Sequence, residues 1–497
     1  MKLSLEGLRG RAAWESAGVF LPQFDIEAMR ERTKQAPAWV HFGAGNLFRA
    51  FPCAALQTLL DQGVYDRGVI AVNPHDPECV DLAFAPYDNL SLLAVLRADG
   101  RVDKRIIASL AEVIKPGADG EKRLCALFEA SSLQMVSLTV TEKAYQPDNG
   151  TMRLLCSLLA CRYRAGADPL ALVSLDNCAN NGGKLRAAIL AIAGDQAQNK
   201  TTGPGFLSYL KEAVSFPNTM IDKITPHPDP EIAKMLRELG FEDTDIIKTD
   251  KGTITAPYVN AEQAEYLVIE DHFPNGRPPL EKAGVYFTDR ATVDKVEKMK
   301  VGTCLNPLHT ALALLGCVLG FTKISAEMND PDIRAFVERL GYRECLPVVQ
   351  DPGILSPKLF LDEVLQKRFV NPFLPDTPQR IAADTSQKLP VRFGYTIRAT
   401  EDRSTLHCIP FVLALWFRYL TGIDDQGMPF QISPDPRAQE VRLRMAAGLS
   451  DELLSDASLF GEDLVAAGLS SRVRQMFGDM MGGAGAVRKA LRKAVES

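Results

Sequence analysis

The chain has 497 residues, of which 46% are hydrophobic and 24% are charged. This length exceeds one ordinary hydrophobic core and predicts two domains, and the composition is typical of a soluble globular protein. The formal net charge is −6, with 56 basic and 62 acidic residues and no long basic run, which argues against nucleic acid and anionic membrane as partners.

The N-terminus and the cysteines bear on the cellular compartment. The stretch "MKLSLEGLRGRAAWESAGVF" carries charges where a signal peptide has its apolar core, and no apolar run of 18 residues is present. The ten cysteines include no CxxC pair, which favours reduced thiols over a disulfide framework or a zinc site. We therefore expect a cytoplasmic protein without a bound metal.

In the first half of the chain, short apolar runs alternate with helix-like segments. Runs such as "LALVSL" are apolar throughout, as in strands buried on both faces of a parallel sheet. The alternation predicts a doubly wound α/β domain over residues 1–290. The predicted strands are 39–42, 69–73, 91–96, 135–141, 171–175, 220–224 and 266–269.

Beyond residue 289 the strand patterns stop, and helical periodicity continues to the end of the chain. We therefore expect a second, mostly α-helical domain over residues 291–497. Its predicted helices are 307–321, 330–340, 357–369, 406–420 and 437–448.

The first predicted strand leads into "VHFGAGNLFRAF" (40–51), which contains Gly43 and Gly45. These occupy the first two positions of a dinucleotide-binding turn, where a missing Cβ lets the backbone approach a pyrophosphate. Phe48 replaces the third glycine, so a tight turn without a ligand is the alternative. The strand–turn–helix context favours the nucleotide. Arg49, one turn into the helix, is either a phosphate ligand or a surface arginine.

The second predicted strand ends in "VIAVNPHDPE", where an NAD site usually places an acid for the ribose 2′-hydroxyl. Asn73 stands at the strand end, with Asp76 and Glu78 beyond it. Because no arginine or lysine follows closely, NAD is favoured over NADP. A further strand ends in "TEKAY", which places Thr141, Glu142 and Lys143 at a carboxyl edge where α/β sheets bind ligands. The predicted cofactor-binding residues are Phe42, Gly43, Ala44, Gly45, Asn46, Leu47, Arg49, Asn73, Thr141, Glu142 and Lys143.

Seven stretches together resemble the polyol-specific long-chain dehydrogenases, the mannitol dehydrogenase family, over almost the whole chain. "HFGAGNLFRAF" is similar to the family's glycine turn and "CLNPLHTALALLG" to its lysine–asparagine–histidine helix. The other five are "VSLTVTEKAY", "VSLDNCANNG", "FPNTMIDKITP", "YLVIEDHFPNGRP" and "RIAADTSQKLPVR". The resemblance implies an N-terminal Rossmann-type domain, a helical C-terminal domain, and hydride transfer with a nicotinamide in a cleft between them.

The resemblance also implies roles for individual residues. Lys300 would be the acid/base for the alcohol proton, and Asn306, His309 and Asn177 would stabilise the developing oxyanion. Without the resemblance, Asn306 is equally explained as a helix cap before a proline, and His309 as a buried core histidine. The implied substrate-binding residues are Asn177, Asp222, Lys300, His309, Arg380 and Lys388.

One departure concerns the spacing of the lysine. Five residues separate Lys300 from Asn306, where the family has four, and Lys298 competes for the role. Such an insertion can be absorbed by a π-bulge, which functional sites often contain. Lys300 is preferred because Lys298 lies about 200° around a regular helix and would face away. Phe48 and Phe51 replace two histidines of the family's turn.

Within the family, "SLTVTEK", "IEDHFPNGRP" and "SQKLP" are most similar to the fructuronate reductases. This implies an NAD-dependent oxidoreductase that interconverts a ketouronate and a sugar acid, D-fructuronate and D-mannonate. The alternatives are tagaturonate reduction, oxidation of mannitol or another polyol, and, in a different class, a dinucleotide-binding sensor without turnover. A zinc alcohol dehydrogenase is disfavoured because no cysteine–histidine ligand set is present. The oligomeric state is left open.

Overall fold

The computed structural model describes residues 1–166, 168–199, 202–203 and 205–496. The chain divides into two compact units. The first contains Met1–Arg97 and Arg101–Asp294, and the second contains Ala98–Gly100 and Lys295–Ser497. The division after Asp294 lies close to the boundary expected after residue 290.

The strands of the described residues all lie in the first unit. They are β1 Val19–Phe20, β2 Trp39–Phe42, β3 Val69–Val72, β4 Ser91–Leu96, β5 Val102–Ile107, β6 Leu110–Ile114, β7 Met135–Leu138, β8 Leu170–Ser174, β9 Val214–Ser215, β10 Thr219–Asp222, β11 Ile247–Lys248, β12 Ile254–Thr255, β13 Tyr258–Glu262, β14 Tyr266–Glu270 and β15 Tyr286–Thr288. All seven predicted strands are present.

A six-stranded sheet, β6–β3–β2–β7–β8–β9, forms the centre of this unit, and every neighbouring pair in it is parallel. Numbered along the chain, its strands lie in the order 3-2-1-4-5-6, which is the arrangement of a Rossmann domain. The order reverses between β2 and β7, so a crevice for a ligand is expected at their carboxyl ends. The predicted α/β class is confirmed.

Strand β2 shows why these residues form a central strand. All four of its residues are buried, and its three apolar residues are divided between two clusters on opposite faces. Trp39 packs with Leu56 and Leu60 on one face of the sheet. Val40 and Phe42 pack with the cluster on the opposite face. Helices on both faces therefore require a strand without exposed polar positions.

The helices of the first unit cover the central sheet and connect its strands. They are α1 Arg11–Ser16, α2 Ile26–Gln35, α3 Asn46–Ala50, α4 Pro52–Asp61, α5 Glu78–Ala83, α6 Ala118–Glu129, α7 Gly150–Arg164, α8 Asn181–Gln198, α9 Phe206–Glu212 and α10 Pro230–Glu238. Three smaller sheets complete the unit: β1–β5–β4–β13, β10–β14–β15 and the hairpin β11–β12.

From residue 290 onward the described chain is helical, as predicted. Its helices are α11 Arg290–Met299, α12 Asn306–Leu319, α13 Ile324–Glu327, α14 Pro331–Arg339, α15 Pro357–Glu363, α16 Pro378–Ile381, α17 Thr385–Arg392, α18 Gly394–Ala399, α19 Cys408–Leu420, α20 Ala438–Met445, α21 Asp451–Leu454, α22 Ala457–Phe460, α23 Ser470–Met480 and α24 Ala486–Glu496. Short 3₁₀ turns occur at Gly7–Arg9, Ala85–Tyr87, Glu142–Ala144, Leu280–Ala283, Leu346–Val348 and Arg403–Thr405.

Three segments of the second unit have π-helical geometry: Lys300–Cys304, Leu340–Cys345 and Val364–Arg368. The first of them joins α11 to α12 and begins at the candidate acid/base, Lys300. The π-bulge named above as one way to absorb the extra residue is therefore present. By length and composition alone, the stretch Arg290–Leu319 could cross a membrane. However, 83% of its most apolar 18 residues are buried inside the protein, as in the core helix of a soluble protein.

Two features of the interior were not predicted. Cys125 of α6 and Cys161 of α7 form a disulfide, which corrects the expectation that all ten cysteines are reduced thiols. In the second unit, the Glu327 side chain is fully buried, and neither of its carboxyl oxygens makes a hydrogen bond. The carboxyl lies against Gly316 of α12, where a Cβ would stand 2.3 Å from Oε1. Burial and, secondarily, Asp330 raise the pKa of Glu327 well above its ordinary value.

Candidate functional site

The turn after β2 shows two separate reasons for glycine. Gly43 has φ +107°, and a Cβ there would stand 2.7 Å from both the carbonyl oxygen and the hydroxyl of Thr139 at the end of β7. Gly45 has no atom within 4 Å of its Cβ position, because it borders open space. Gly43 is thus required by the fold, and Gly45 leaves room for a ligand beside the backbone.

That open space is a cavity of about 410 Å³ at the carboxyl ends of β2 and β3. Six predicted cofactor residues line it: Gly43, Ala44, Gly45, Asn46, Leu47 and Asn73. The other lining residues were not among the predicted cofactor residues: His75, Asp76, Cys79 and Phe84 follow Asn73 along the chain, and Thr139, Thr225, His227 and Gly252–Thr255 come from distant parts of the first unit.

Asp76 is the acid at this cavity. Its side chain is 2% exposed, its Oδ2 accepts a hydrogen bond from Thr249, 2.6 Å away, and its Oδ1 makes none. Burial acts to raise the pKa of Asp76, but Thr249 and the neighbouring Thr253 and Cys79 outweigh it, so the pKa lies below its usual value. A buried carboxylate oxygen without a donor needs one, and a ribose hydroxyl can supply it. The cavity therefore fits the adenosine half of a dinucleotide.

A second cavity, of about 430 Å³, lies at the carboxyl ends of β7 and β8. Its lining shares Leu47 and Thr139 with the first cavity, so the two adjoin at the position where the strand order reverses. The predicted residues Thr141, Glu142 and Asn177 line it. It is the place in the first unit where the nicotinamide half of a dinucleotide would lie.

Asn177 is held at this cavity by its neighbours in sequence. The Asp176 Oδ1 accepts a hydrogen bond from the backbone N–H of Cys178, 2.9 Å away. The Asp176 Oδ2 accepts from Ser174, 2.6 Å away, and from Tyr145. The strand end that carries Asn177 is therefore braced on both sides, while the Asn177 side chain remains exposed.

Three predicted cofactor residues do not line either cavity. The Phe42 ring is buried in the sheet core and the Lys143 side chain is exposed away from the lining. Arg49 is a correction to both interpretations of the sequence, since it is neither at the cavity nor on the surface. It is 2% exposed and donates to the Ala256 carbonyl (2.8 Å) and to Asn46 Oδ1 (2.9 Å), and burial lowers its pKa to about 10.

Helical winding separates the two candidate lysines of the second unit. Lys300 is 8% exposed, whereas Lys298 is exposed. Asn306 is the first residue of α12 and is followed by Pro307. Asp222, predicted to bind substrate, is buried in the first unit at the end of β10.

His309 stands one turn into α12 and faces Asp376. Its Nε2 is 3.5 Å from Asp376 Oδ2, and its ring packs 5.2 Å from that of Phe369. Burial lowers the pKa of His309 and outweighs Asp376, which acts to raise it, while Arg392 and Arg368 act in the same direction as burial, so the neutral imidazole is favoured at neutral pH. A neutral imidazole can donate a hydrogen bond to a substrate oxygen.

The two predicted substrate cations lie on α16 and α17. Arg380 pairs with Asp376, and 63% of its side chain is exposed. The Lys388 ammonium donates to the carbonyls of Ile381 (2.9 Å) and Ala383, which uses two of its three N–H groups. Burial and then Arg392 lower the pKa of Lys388 to about 8, against the opposing effect of Asp384 and Asp435.

Arg392, one turn after Lys388 on α17, was not predicted as a site residue. Its Nη1 donates to the Thr310 hydroxyl (2.6 Å) and to the Asn306 carbonyl (3.4 Å). Burial lowers its pKa to about 10. The i,i+4 spacing from Lys388 and the quoted "RIAADTSQKLPVR" stretch were the available signals. Among the described residues, no group of three or more His, Cys, Asp or Glu is placed to hold a metal ion.

The central sheet order, the glycine turn and the adjoining cavities define a dinucleotide-binding protein of the Rossmann class. A family model for the mannitol dehydrogenase Rossmann domain matches residues 37–282, and one for the mannitol dehydrogenase C-terminal domain matches residues 292–481. The chain belongs to the mannitol dehydrogenase family. The expected oxidoreductase class is thereby confirmed.

Similar proteins include a D-mannonate oxidoreductase of Thermotoga maritima, which is 45% identical, with 100% of this chain and 99% of the relative covered. A mannitol 2-dehydrogenase of Neosartorya fischeri is 30% identical, with 93% of each chain covered. Among solved structures, a D-sorbitol dehydrogenase in substrate-free form has a TM-score of 0.82 at 26% identity, with 96% of this chain and 98% of that chain covered. A mannitol 2-dehydrogenase of Pseudomonas fluorescens with NAD and D-mannitol has a TM-score of 0.73 at 25% identity, with 100% of both covered.

Proposed function

We propose that this protein is an NAD-dependent oxidoreductase that interconverts a ketouronate and a sugar acid, D-fructuronate and D-mannonate. The full-length relative at 45% identity, named as a D-mannonate oxidoreductase, supports this substrate pair. The 30%-identical mannitol 2-dehydrogenase supports the alternative, oxidation of a neutral polyol.

The observation that carries the choice of an acid is the concentration of cations around α17. Lys388 and Arg392 lie one turn apart, and burial, Arg392 and Arg380 lower the pKa of Lys388 to about 8 although Asp384 and Asp435 act to raise it. Like charges brought together in a half-buried place cost free energy, and a bound carboxylate offsets that cost with charge-assisted hydrogen bonds. A neutral polyol has no such charge.

The proposed mechanism divides the work between named groups. Bound NAD supplies the hydride acceptor when the sugar acid is oxidised. Lys300 takes the hydroxyl proton in that direction and returns it in the reverse direction. His309, neutral, and Asn306 donate to the reacting oxygen. Arg380 and the third N–H of Lys388 bind the carboxylate end.

The test is a panel of hexuronates and polyols, followed by nicotinamide absorbance, with the wild type and Arg380→Ala. We expect D-fructuronate to be reduced with the highest kcat/KM, and tagaturonate and mannitol-like polyols to be poorer. Arg380→Ala should raise KM for the acid about tenfold, the effect of one charge-assisted hydrogen bond at an exposed site, and leave KM for a polyol unchanged.

Other outcomes of the panel distinguish the alternatives. If Arg380→Ala raises KM equally for the acid and for the polyol, the alternative function, a polyol dehydrogenase, is favoured. Nucleotide binding without turnover of any substrate in the panel would favour the sensor.

A further inference from the structure

The adenosine end of the first cavity is closed by an element outside the six-stranded sheet. The hairpin β11–β12 has its turn at Thr249–Thr253, stabilised by Thr249 N–H to Thr253 O (3.0 Å) and Gly252 N–H to Thr249 O (2.9 Å). Residues 252–255 of this hairpin line the cavity. We call Thr249–Thr253 the hairpin turn.

Three hydrogen bonds connect the hairpin turn to the loop after β3. Thr249 donates to Asp76 Oδ2 (2.6 Å), and the Asp250 N–H donates to Glu78 Oε2 (2.8 Å). The Lys251 ammonium donates to the His75 carbonyl (2.7 Å). About 170 residues of sequence separate the two segments, with separations of 172 to 176.

These contacts hold two opposite charges, Asp76 and Lys251, close to each other at the end of the first cavity that fits the adenosine ribose. Asp76 is buried and fixed through one oxygen, which leaves Oδ1 for a ribose hydroxyl and repels a 2′-phosphate. Lys251 is exposed beside Asp76. It is a counter-charge for a 2′-phosphate, and the residues that follow β3 in the sequence include no such basic side chain. The selectivity of the cavity is therefore a balance between Asp76 and Lys251, both held by one turn.

We propose that the hairpin turn is the cofactor-selectivity element of this enzyme: Thr249 positions Asp76 to bind the ribose of NAD, and Lys251 gives the same cavity a 2′-phosphate site that Asp76 suppresses. The inference rests on the proposed use of NAD. Thr249 is a positioning residue that acts through Asp76, and Lys251 acts directly on the nucleotide.

The positioning role is tested with Thr249→Val, which keeps the side-chain shape but removes both the donor to Asp76 and the acceptor of the Thr253 N–H (3.0 Å), so its melting temperature is compared with that of the wild type. The Kd of NADH and of NADPH is measured by nicotinamide fluorescence. We expect the Kd of NADH to rise about tenfold and that of NADPH to change less than threefold, since only the ribose hydroxyl contact depends on Asp76 orientation. Thr249→Ser, which keeps the hydroxyl, should bind NADH with a Kd within threefold of that of the wild type.

The matched control is Thr244→Val, a buried threonine of the same unit whose hydroxyl accepts from Arg237, 3.1 Å away, and which does not line the cavity. It should leave both Kd values unchanged. If Thr249→Val weakens NADH and NADPH equally, or neither, the positioning role is overturned.

The Lys251 role is tested in the background Asp76→Asn, which removes the negative charge and keeps an acceptor for Thr249. We expect the Kd of NADPH to fall at least tenfold in this variant, because the repulsion is lost and Lys251 attracts the phosphate. The double variant Asp76→Asn/Lys251→Met should lose that gain, while its Kd for NADH stays within threefold of the single variant.

If NADPH still binds more tightly to the double variant than to the wild type, the Lys251 assignment is overturned. The assignment is also overturned if Asp76→Asn has the melting temperature of the wild type and an unchanged Kd for NADPH. Failure of the wild type to bind either nucleotide would instead contradict the proposed function. The two failures are thus distinguishable.

Discussion

The two lysines at the end of α11 differ by their environment alone. Lys300 is 8% exposed and begins the π-helical segment before Asn306, and Lys298 is exposed. Lys300→Ala should lower kcat by roughly a hundred- to ten-thousand-fold, the range for a lost general acid/base, with an unchanged Kd for NADH. Lys298→Ala, the matched control, should stay within threefold of the wild type. A steady-state assay checks both, and a dead Lys298→Ala with an active Lys300→Ala would reverse the assignment.

We expect substitutions of the two turn glycines to have different effects, one on NADH affinity and the other on stability. Gly45→Ala adds a methyl group to open space beside the cavity, so the fold should be unaffected and the Kd of NADH should rise about tenfold or more as the pyrophosphate loses its close approach.

Gly43→Ala adds a methyl group 2.7 Å from the Thr139 carbonyl at φ +107° and should lower the melting temperature. Calorimetry with nucleotide titration separates the two. An unchanged NADH affinity in Gly45→Ala would refute the assigned role of the turn.

At the residue scale, local sequence predicted the glycine turn and failed where a partner comes from far along the chain. Six of the predicted cofactor residues line the first cavity: five belong to the turn 43–47, whose geometry is determined locally, and Asn73 stands at the end of β3. Arg49 was misplaced because its acceptor, the Ala256 carbonyl, is 207 residues away in sequence. Lys251 was missed as a counter-charge for the same reason, since it meets His75 only through the fold.

At the scale of elements, helix α17 joins its two neighbours through the cations on one face. Lys388 donates to carbonyls at the end of α16, and Arg392 donates to Thr310 and Asn306 on the first turns of α12. This helix therefore fixes Lys388, a proposed substrate-binding residue, relative to the first turns of α12. Its proline, Pro390, lies inside the helix, where the missing N–H weakens the backbone ladder and makes side-chain contacts more important.

Arg392→Gln should show that dependence. Loss of the charged hydrogen bond to Thr310 should lower the free energy of unfolding by about 2 kcal/mol, or roughly 4–8 °C in melting temperature for a unit of this size. Because Asn306 is also displaced, kcat should fall more than KM rises. Arg334→Ala removes an exposed ion pair with Glu338 and should change the melting temperature by less than about 2 °C. Equal shifts in the two variants, measured by calorimetry, would contradict the proposed contact.

The uniformly apolar strands were predictable, and the charged ones were not. Strands β2, β7 and β8 are buried at every position, so their composition is unambiguous. Strand β5, "VDKRII", is only partly buried over its first four residues and carries three charges, which conceal its strand character. Its pairing with β4 supplies the missing information and is not visible locally.

At the scale of the whole molecule, the change from α/β to helical structure could be read from hydrophobic periodicity, since it persists over hundreds of residues. Strand order could not, because it depends on which βαβ connections cross over. The same limit applies to the interior of the second unit, where Glu327 is buried against Gly316 although each is unremarkable in the sequence.

Glu327 predicts how stability depends on pH. Its pKa in the folded chain is raised, so the folded form keeps a proton that the unfolded form loses above about pH 4.5. The contribution of this group is therefore complete below that pH and is lost as pH rises toward the folded pKa, at about 1.4 kcal/mol per pH unit. Glu327→Gln should flatten the dependence of the urea unfolding midpoint on pH above about pH 5. Glu338→Gln, at an exposed position, should not, and an unchanged slope in Glu327→Gln would contradict the assignment.

The buried Glu327 carboxyl also couples folding to the uptake of a proton from the solvent. Above about pH 4.5, refolding should take up protons from the medium at this position, because burial favours the neutral form of the side chain. The heat of unfolding should then include the ionisation heat of whichever buffer exchanges that proton. Calorimetry in phosphate and in Tris should give different apparent enthalpies at the same pH, and Glu327→Gln should reduce the difference between the two buffers.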